Sequence, residues 1–214
     1  MENREDVIHL LQAYLKEFKK EDHGKLSEFL ARCNDSQLYD RNQSTEHITA
    51  SALIIDPKER KILLLEHKTF KKYLQPGGHI EKDDNSILDA AVREAVEETR
   101  IEKENLVNFS IHHTENIPLD IDSHHIPENK AKGEPSHFHH DFRYLFFYNG
   151  SDEINPNTHD AESVKWVHFS DLTKDNTFKN LLDKIRKLLS LEFKTKLYYD
   201  TVLKEIPEKK SLIQ

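Results

Sequence analysis

The segment Arg93-Glu94-Ala95-Val96-Glu97-Glu98 constrains this chain more than any other, because it places three carboxylates beside one guanidinium. It follows a Gly-Gly pair at 77–78 and has the pattern of a helix. On a helix, residues three and four apart are neighbours, so Glu94, Glu97 and Glu98 project side by side. Such carboxylates repel one another. Arg93 offsets one charge, and a divalent cation that takes oxygen ligands, Mg²⁺ or Mn²⁺, would offset the others.

A solvated charged face is the ordinary explanation for a helical Glu cluster. Here the cluster comes about fifteen residues after Pro-Gly-Gly-His at 76–79, and this conjunction favours a functional site. Several residues at 83–86 are suitable N-caps for the helix. Its opposite face is expected to pack inward through apolar and small residues. These are Leu88, Val92, Ala95, Val96 and Thr99.

The segment resembles the Nudix box, the signature of the Nudix hydrolases. In that pattern a Gly and a Glu precede Arg-Glu-x-x-Glu-Glu, which is followed by a Gly and an apolar residue. The matching positions here are Gly78, Arg93, Glu94, Ala95, Glu97, Glu98 and Ile101. The similarity extends over residues 46–190, because paired strands precede the box and a strand with a helix start follows it.

This chain departs from the Nudix pattern at three places. One extra residue separates Gly78 from Arg93, and the first Glu is replaced by Asp84 or Asn85, depending on where the extra residue falls. Arg100 stands where a Gly usually ends the helix. A left-handed helix end costs a non-glycine residue roughly 1–2 kcal/mol. None of these changes removes the carboxylate cluster.

The resemblance implies a Nudix-type α/β/α sandwich with a mixed sheet and hydrolysis of a diphosphate linkage in a nucleoside-diphosphate-X compound. It implies that Glu94, Glu97 and Glu98, with a backbone carbonyl from Gly77 or Gly78, hold Mg²⁺ or Mn²⁺. The cation would bind phosphate oxygens and activate water. Glu94, Arg93 and Glu97 are the predicted catalytic residues, with a Glu as general base and Arg93 orienting its neighbours. Asp141 and Glu162 are candidates for a further carboxylate.

The pattern predicts three regions along the chain. Residues 1–45 form an N-terminal helical extension, 46–174 the Nudix core, and 175–214 C-terminal helices that pack on the core. The helical extension is expected to pack on the core, although shaping a pocket wall or mediating a homodimer are alternatives. Strands are predicted near 47–55, 60–67, 106–114, 137–148 and 163–169, with a long loop at 115–136 and a last helix at 195–206.

The predicted strand from His137 carries a second group of polar residues. Alternation places His137, His139, Asp141 and Arg143 on one face. The other face, which is expected to point into the core, carries Phe138, His140, Phe142 and Tyr144. The polar face is interpreted as a substrate wall for phosphate or sugar. The alternatives are a solvated strand face and a site for zinc or a similar metal built on the His-x-His pair with an Asp.

Composition limits the other functional classes. The formal net charge of −8 gives no support for DNA binding. The single Cys33 excludes an internal disulfide framework and fits a reducing cytosol. The charged N-terminus lacks a signal-peptide pattern, and no stretch approaches a membrane span. We therefore expect a cytoplasmic protein that acts on a small nucleotide-type molecule.

Two other classes of function stay open from the sequence. A catalytically silent Nudix-fold protein that binds a nucleotide is one, although it would be expected to lose the Glu cluster. A diphosphate-ester isomerase of related fold is the other, but it would need a pocket Cys, and Cys33 is far from the box in sequence. The box does not specify the substrate.

Overall fold

The computed structural model describes residues 4–19, 24–33, 45–67, 72–110, 116–130, 133–150, 154, 161–173 and 176–194. The chain divides into two compact units, Met1–His168 and Phe169–Gln214. The helices of the first unit are α1 (Arg4–Glu17), α2 (Gly24–Arg32) and α3 (Ile87–Thr99). Its strands are β1 (Glu46–Asp56), β2 (Lys61–His67), β3 (Lys72–Leu74), β4 (Gly77–His79), β5 (Leu106–Phe109), β6 (Asp120–Ile126), β7 (His137–Tyr148) and β8 (Ala161–His168).

One mixed sheet contains all the strands of the described residues, in the order β3-β2-β1-β7-β5. β1 and β7 run parallel at its centre, from Glu46 opposite Phe138 to Ile55 opposite Phe147. β4 and β6 flank the first half of this pair, and β2 and β5 flank the second half. β8 pairs with the outer edge of β2. The α/β class predicted from the sequence is confirmed.

The main hydrophobic core lies between one face of the sheet and helices α1 to α3. The sheet contributes alternate residues of β1 and β7, among them Ala50, Ile54, Phe142 and Tyr144. α1 and α2 contribute Leu11, Tyr14, Phe29 and others, so the predicted packing of the N-terminal helices on the core is confirmed. The predicted domain boundaries remain predictions.

Helix α3 is capped at both ends by its own sequence. The Ser86 hydroxyl accepts a hydrogen bond from the Asp89 amide at 3.0 Å, as an N-cap does. Arg100 ends the helix in the left-handed conformation, with φ 58° and ψ 19°. The buried stripe is Ile87, Ala90, Ala91, Ala95 and Thr99, whereas the predicted Leu88, Val92 and Val96 are only partly buried. The stripe is rotated because the small alanines allow the helix to approach the sheet closely.

Two expectations for the polar region are wrong. The predicted loop at 115–136 contains the strand β6, which pairs with β7 from Asp120 opposite Arg143 to Ile126 opposite His137. Its polar residues indicated a loop in the sequence, because the residues that form hydrogen bonds with them lie on other strands. Phe138 is 43% exposed instead of buried, since it lies at the start of β7 beside His125 and away from the core aromatics.

The second unit contains α4 (Asn176–Lys194). Its buried residues Phe178, Leu181, Leu182, Ile185 and Leu189 recur three or four positions apart, as on one face of a helix. The predicted helix at 195–206 and the far end of the predicted strand at 106–114 lie outside the described residues. In the part of the chain that the structure describes, no helix is both long and apolar enough to cross a membrane.

Candidate functional site

β4 lies against α3 so closely that its two glycines have no room for a side chain. A Cβ atom at Gly78 would collide with the Glu94 carboxylate, and one at Gly77 would lie 2.7 Å from the Ala50 carbonyl oxygen. The Gly77 amide donates a hydrogen bond to Glu98 Oε2 at 2.9 Å. The Gly-Gly pair is therefore required by contact with two glutamates of α3 and with the backbone of β1.

Arg93 connects the carboxylates of this region. Its guanidinium pairs with Asp84 through two parallel contacts, Nε to Oδ1 at 2.9 Å and Nη2 to Oδ2 at 3.0 Å. Nη1 contacts Glu94 Oε1 at 2.9 Å and Glu97 Oε2 at 3.4 Å. Nη2 also donates to the His79 carbonyl oxygen at 2.9 Å. From the sequence, either Asp84 or Asn85 could replace the first Glu of the Nudix pattern. The residue beside Arg93 is Asp84, whereas Asn85 is exposed.

The charges of this group shift one another's protonation. Contact with Asp84 raises the pKa of Arg93 above its usual range. Burial alone would raise the pKa of Asp84, but the Arg93 guanidinium and the Glu81 amide outweigh it and hold this pKa below its ordinary value. The pKa of Glu94 is raised, chiefly by burial, although Arg93 opposes the shift. Asp84 is therefore a fixed anion, whereas Glu94 is less strongly held in its charged form.

The residues at the end of β4 and on α3 fit a hard divalent cation by their chemistry. Glu94, Glu97, Glu98 and Asp84 supply four carboxylates, against which Arg93 supplies one guanidinium. Excess negative charge with oxygen donors is the environment that Mg²⁺ and Mn²⁺ prefer. The glutamates do not yet converge, because Arg93 holds two of them and the Gly77 amide holds the third. They would have to turn inward to share one ion.

A second polar group covers the sheet face where β4, β1, β7 and β6 lie side by side. The strand registers align its residues in three rows across the strands. These rows are His47–His139–His124, then His79–Thr49–Asp141–Asp122, then Gly77–Ser51–Arg143–Asp120. All four predicted β7 residues, His137, His139, Asp141 and Arg143, belong to this face.

Arg143 is buried among three carboxylates. Its Nε contacts Asp141 Oδ2 at 3.0 Å, Nη1 contacts Asp120 Oδ2 at 3.1 Å, and Nη2 contacts Asp122 Oδ2 at 2.9 Å. Burial alone would lower the pKa of Arg143, but the carboxylates raise it above its usual range. The pKa of Asp122 falls to about 2 although burial opposes this, because His124 and Arg143 stabilise its anion. Every side of the guanidinium is thus occupied by an internal partner.

Asp141 is the centre of the hydrogen bonds on this face. It is 3% exposed and accepts from the Ser51 hydroxyl at 2.7 and 2.8 Å, from Thr49 at 3.3 Å and from the Gln75 amide at 3.2 Å. With Arg143 these contacts occupy both carboxylate oxygens. The structure therefore places Asp141 as a connector of β1, β7 and the segment before β4. The side chain of Glu162, the other predicted carboxylate, lies outside the described residues.

Five imidazoles meet on this face around His139 of the first row. His47, His79, His124 and His137 all lie within 5.9 Å of the His139 ring, centroid to centroid. His139 and His137 approach at Nε2 to Nε2, 3.0 Å, and His137 Nδ1 donates to the Pro135 carbonyl oxygen at 2.8 Å. Burial, with the neighbouring histidines, lowers the pKa of His139 to about 2. The ring is therefore neutral at physiological pH.

His79 connects the two polar groups. Its carbonyl oxygen accepts from Arg93, while its ring lies 5.0 Å from the ring of His139. Sequence reasoning found the α3 residues and the β7 face, placed Asp120 and Asp122 in the loop before that face, and missed the partners that come from β1 and from residues 75–79. The missed residues are His47, Ser51, Gln75 and His79, and the pairing of Asp120 and Asp122 with Arg143 was also missed. The Asp-Ile-Asp-Ser-His-His run at 120–125 was the available signal, since its alternation matches a strand.

Comparisons with known proteins agree with this arrangement. A family model described as NUDIX domain matches residues 45–189. A probable DHNTP pyrophosphohydrolase of Lactococcus lactis subsp. cremoris is 33% identical over 144 residues, which cover 67% of this chain and 69% of that protein. The crystal structure of a C. elegans Ap4A hydrolase binary complex has a TM-score of 0.51 and 22% identity, and the match covers 67% of this chain and 97% of that one. The last likeness concerns the fold alone.

Proposed function

The chain belongs to the Nudix family of pyrophosphohydrolases, and from that premise we propose that it hydrolyses a diphosphate linkage in a nucleoside-diphosphate-type compound. We propose that the reaction depends on Mg²⁺ or Mn²⁺. The observation that carries the proposal is the contact between the Gly77–Gly78 strand and the glutamates of α3, where carboxylates outnumber the one guanidinium.

Glu94, Glu97, Glu98 and the Gly78 backbone are the residues that would hold the cation. When bound, the cation supplies charge neutralisation at the phosphates and makes water a better nucleophile. Glu97 has the greatest freedom to turn, because its side chain is 58% exposed and its contact with Arg93 is long, at 3.4 Å. Glu94 and Glu97 are the candidates for the base that takes a proton from the attacking water.

Arg93 has a positioning role in this proposal. Its paired contacts with Asp84 fix the guanidinium plane, since a bidentate arginine–carboxylate pair is geometrically specific. The remaining nitrogen then holds Glu94 and Glu97 at a defined place. Asp84 thus acts through Arg93, although it is not itself proposed as a cation ligand.

Substrate contact at His137, His139, Asp141 and Arg143 stays a prediction, which the geometry makes more specific. Asp141 and Arg143 are buried and bonded to each other, so we propose that they support the face from within. Of the four residues only His139 is half-buried, and His137 is buried like the other two. The compounds to test first are those named for the relatives, DHNTP and Ap4A, followed by nucleotide sugars and ADP-ribose.

The test is a panel of these compounds with Mg²⁺, with Mn²⁺ and with excess chelator, scored by the phosphate-containing products released. We expect turnover of at least one compound with a cation and none with chelator. Glu104→Gln is the matched control for variants of the cluster, because Glu104 is an exposed glutamate outside it. Full turnover in chelator would overturn the metal dependence. Binding without turnover of any compound would favour a silent binding protein.

A further inference from the structure

The histidines on the sheet face are not among the residues proposed to hold the Mg²⁺ or Mn²⁺ ion or to activate water. One nitrogen from each of His47, His79 and His139 lies within 4.8 Å of the other two. Among the residues that the structure describes, this is the group of three potential ligands that converges so closely, and the glutamates of α3 do not. His47 is buried and the other two are half-buried.

We propose that His47, His79 and His139 bind one divalent transition-metal ion of the Zn²⁺ class, at a site separate from the oxygen ligands of α3. Neutral imidazole nitrogen suits Zn²⁺, Co²⁺ and Ni²⁺, whereas Mg²⁺ and Mn²⁺ prefer carboxylate oxygen. Three histidines with an open fourth position are an established zinc ligand set. The two types of cation would therefore bind at different ligand sets, although His79 directly follows Gly78.

The ligands come from three strands that the sheet holds in register. His47 of β1 is opposite His139 of β7, and His79 of β4 is opposite Thr49, two residues further along β1. Tetrahedral ligands about 2.0–2.1 Å from zinc lie roughly 3.3 Å apart, so the rings have to draw together from 4.8 Å. Rotation of half-buried rings can supply this change without breaking the sheet.

His137 supplies the outer contact that zinc-binding histidines usually have. Its Nδ1 donates to the Pro135 carbonyl oxygen, so the Nε2 of the neutral ring is an acceptor. His139 therefore donates to it through Nε2, and the lone pair of His139 is on Nδ1 in that tautomer. A partner of this kind fixes the orientation of a metal-binding ring. The hydrogen bonds from His139 to His137 and from His137 to Pro135 distinguish this group from histidines that lie near one another by chance.

Titration with Co²⁺ tests the proposal, because tetrahedral Co²⁺ absorbs visible light and reports its ligands directly. The full chain would be titrated in excess Mg²⁺, which occupies the oxygen ligands. We expect one equivalent of Co²⁺ to bind with a tetrahedral spectrum, and Zn²⁺ to displace it. We also expect zinc to raise the thermal unfolding temperature, since a ligand of the folded state stabilises it.

The variants give graded expectations. Loss of an outer contact typically weakens metal binding about 10–100-fold, so His137→Gln should fall in that range and His47→Gln or His139→Gln should lose more than about 100-fold. His125→Gln is the matched control, because this exposed histidine of β6 lies against Phe138 on the other face. Glu97→Gln should leave the Co²⁺ spectrum unchanged.

Two results would overturn the histidine site. One is the absence of stoichiometric Co²⁺ binding by the wild-type protein. The other is Co²⁺ binding that Glu97→Gln abolishes while His47→Gln and His139→Gln, shown to be folded by circular dichroism, retain it. Because these readouts use no substrate, their outcome is independent of whether the hydrolysis proposed above is found.

Discussion

Arg93 and Arg143 each gather three carboxylates, yet the two groups differ in how the guanidinium is shared. Arg143 gives each of its nitrogens to a different aspartate and is 8% exposed. Arg93 gives two nitrogens to Asp84, so Glu94 and Glu97 share the third. The group around Arg93 also lies beside Glu98, whose carboxylate accepts from the Gly77 amide.

The difference separates a group that holds the fold from one that can react. Around Arg143 each nitrogen has its own aspartate, and the guanidinium and Asp141 are buried, which makes the centre of this group rigid. Around Arg93 a fourth carboxylate, that of Glu98, adds to the three that contact the guanidinium, and Glu97 is 58% exposed. Unmatched negative charge at an accessible place is costly without a cation and useful with one. The same residue types thus serve different purposes because of exposure and stoichiometry.

The largest effect expected on activity is that of Glu97→Gln. The change keeps the shape of the side chain but removes a charge, and we expect kcat to fall about 10²–10⁴-fold, the range of a positioned catalytic group. Stability should be unchanged or slightly higher, since like charges on one helix face repel by about 0.2–0.5 kcal/mol. Steady-state kinetics and urea unfolding measure the two effects. Unchanged kcat beside the Glu104→Gln control would show that the cluster is only a charged surface.

The next largest effects are expected when Arg143 and Arg93 are each replaced by Met and the two losses of stability are compared. Arg143→Met leaves the buried Asp141 and two more exposed aspartates without their cation and should destabilise the protein by about 3–5 kcal/mol at pH 7. Arg93→Met should cost less, about 1.5–3 kcal/mol, because Glu97 can return to water, but it should reduce kcat in the folded protein. Urea unfolding with kinetics on the folded fraction separates the effects. Equal stability losses would remove the distinction between the two groups.

The sequence predicted the Arg93 group better than the Arg143 group for a physical reason. Helical spacing is local, so Glu94, Glu97 and Glu98 are neighbours whatever the rest of the chain does. Strand alternation correctly placed Asp141 and Arg143 on one face. The partners across the sheet depend on register, and Ser51 bonds Asp141 across 90 residues of sequence. No local pattern could pair His47 with His139 or show which strand the polar run at 120–126 would pair with.

Asp84→Asn tests whether the fixed anion beside Arg93 stabilises the reactive group. The pKa of Asp84 is lower in the folded protein than its unfolded value of about 3.9. Its ionic contribution is therefore present above pH 3.9 and is lost as pH falls through the folded pKa. We expect Asp84→Asn to cost about 1.5–3 kcal/mol at pH 7, the value of a hydrogen bond to a charged group.

Unfolding curves between pH 7 and pH 3 provide the measurement for Asp84. The difference between wild type and Asp84→Asn should shrink below about pH 3.9, because the unfolded chain then binds a proton that Asp84 in the folded protein resists. A difference that is constant over this range would mean that the contact stabilises by shape and hydrogen bonding and that its charge is unimportant.

The smallest expected effect concerns Arg100, at the end of the helix that carries the reactive group. Its left-handed backbone, φ 58°, strains any residue with a Cβ, so Arg100→Gly should stabilise the protein by about 0.5–1 kcal/mol and leave kcat intact. The hydrogen bond that the Arg100 amide donates to the Val96 carbonyl oxygen is 2.9 Å long, needs no side chain and should persist. Arg60, with φ 53° in the turn between β1 and β2, is the matched control, and Arg60→Gly should give a similar gain in stability far from α3.

Arg100→Ala keeps the backbone strain and removes the guanidinium, so it measures the contribution of the side chain alone. If Arg100→Gly destabilises while Arg60→Gly stabilises, contacts of the Arg100 side chain outweigh its backbone strain, and the departure from the Nudix pattern at this position is then a stabilising feature.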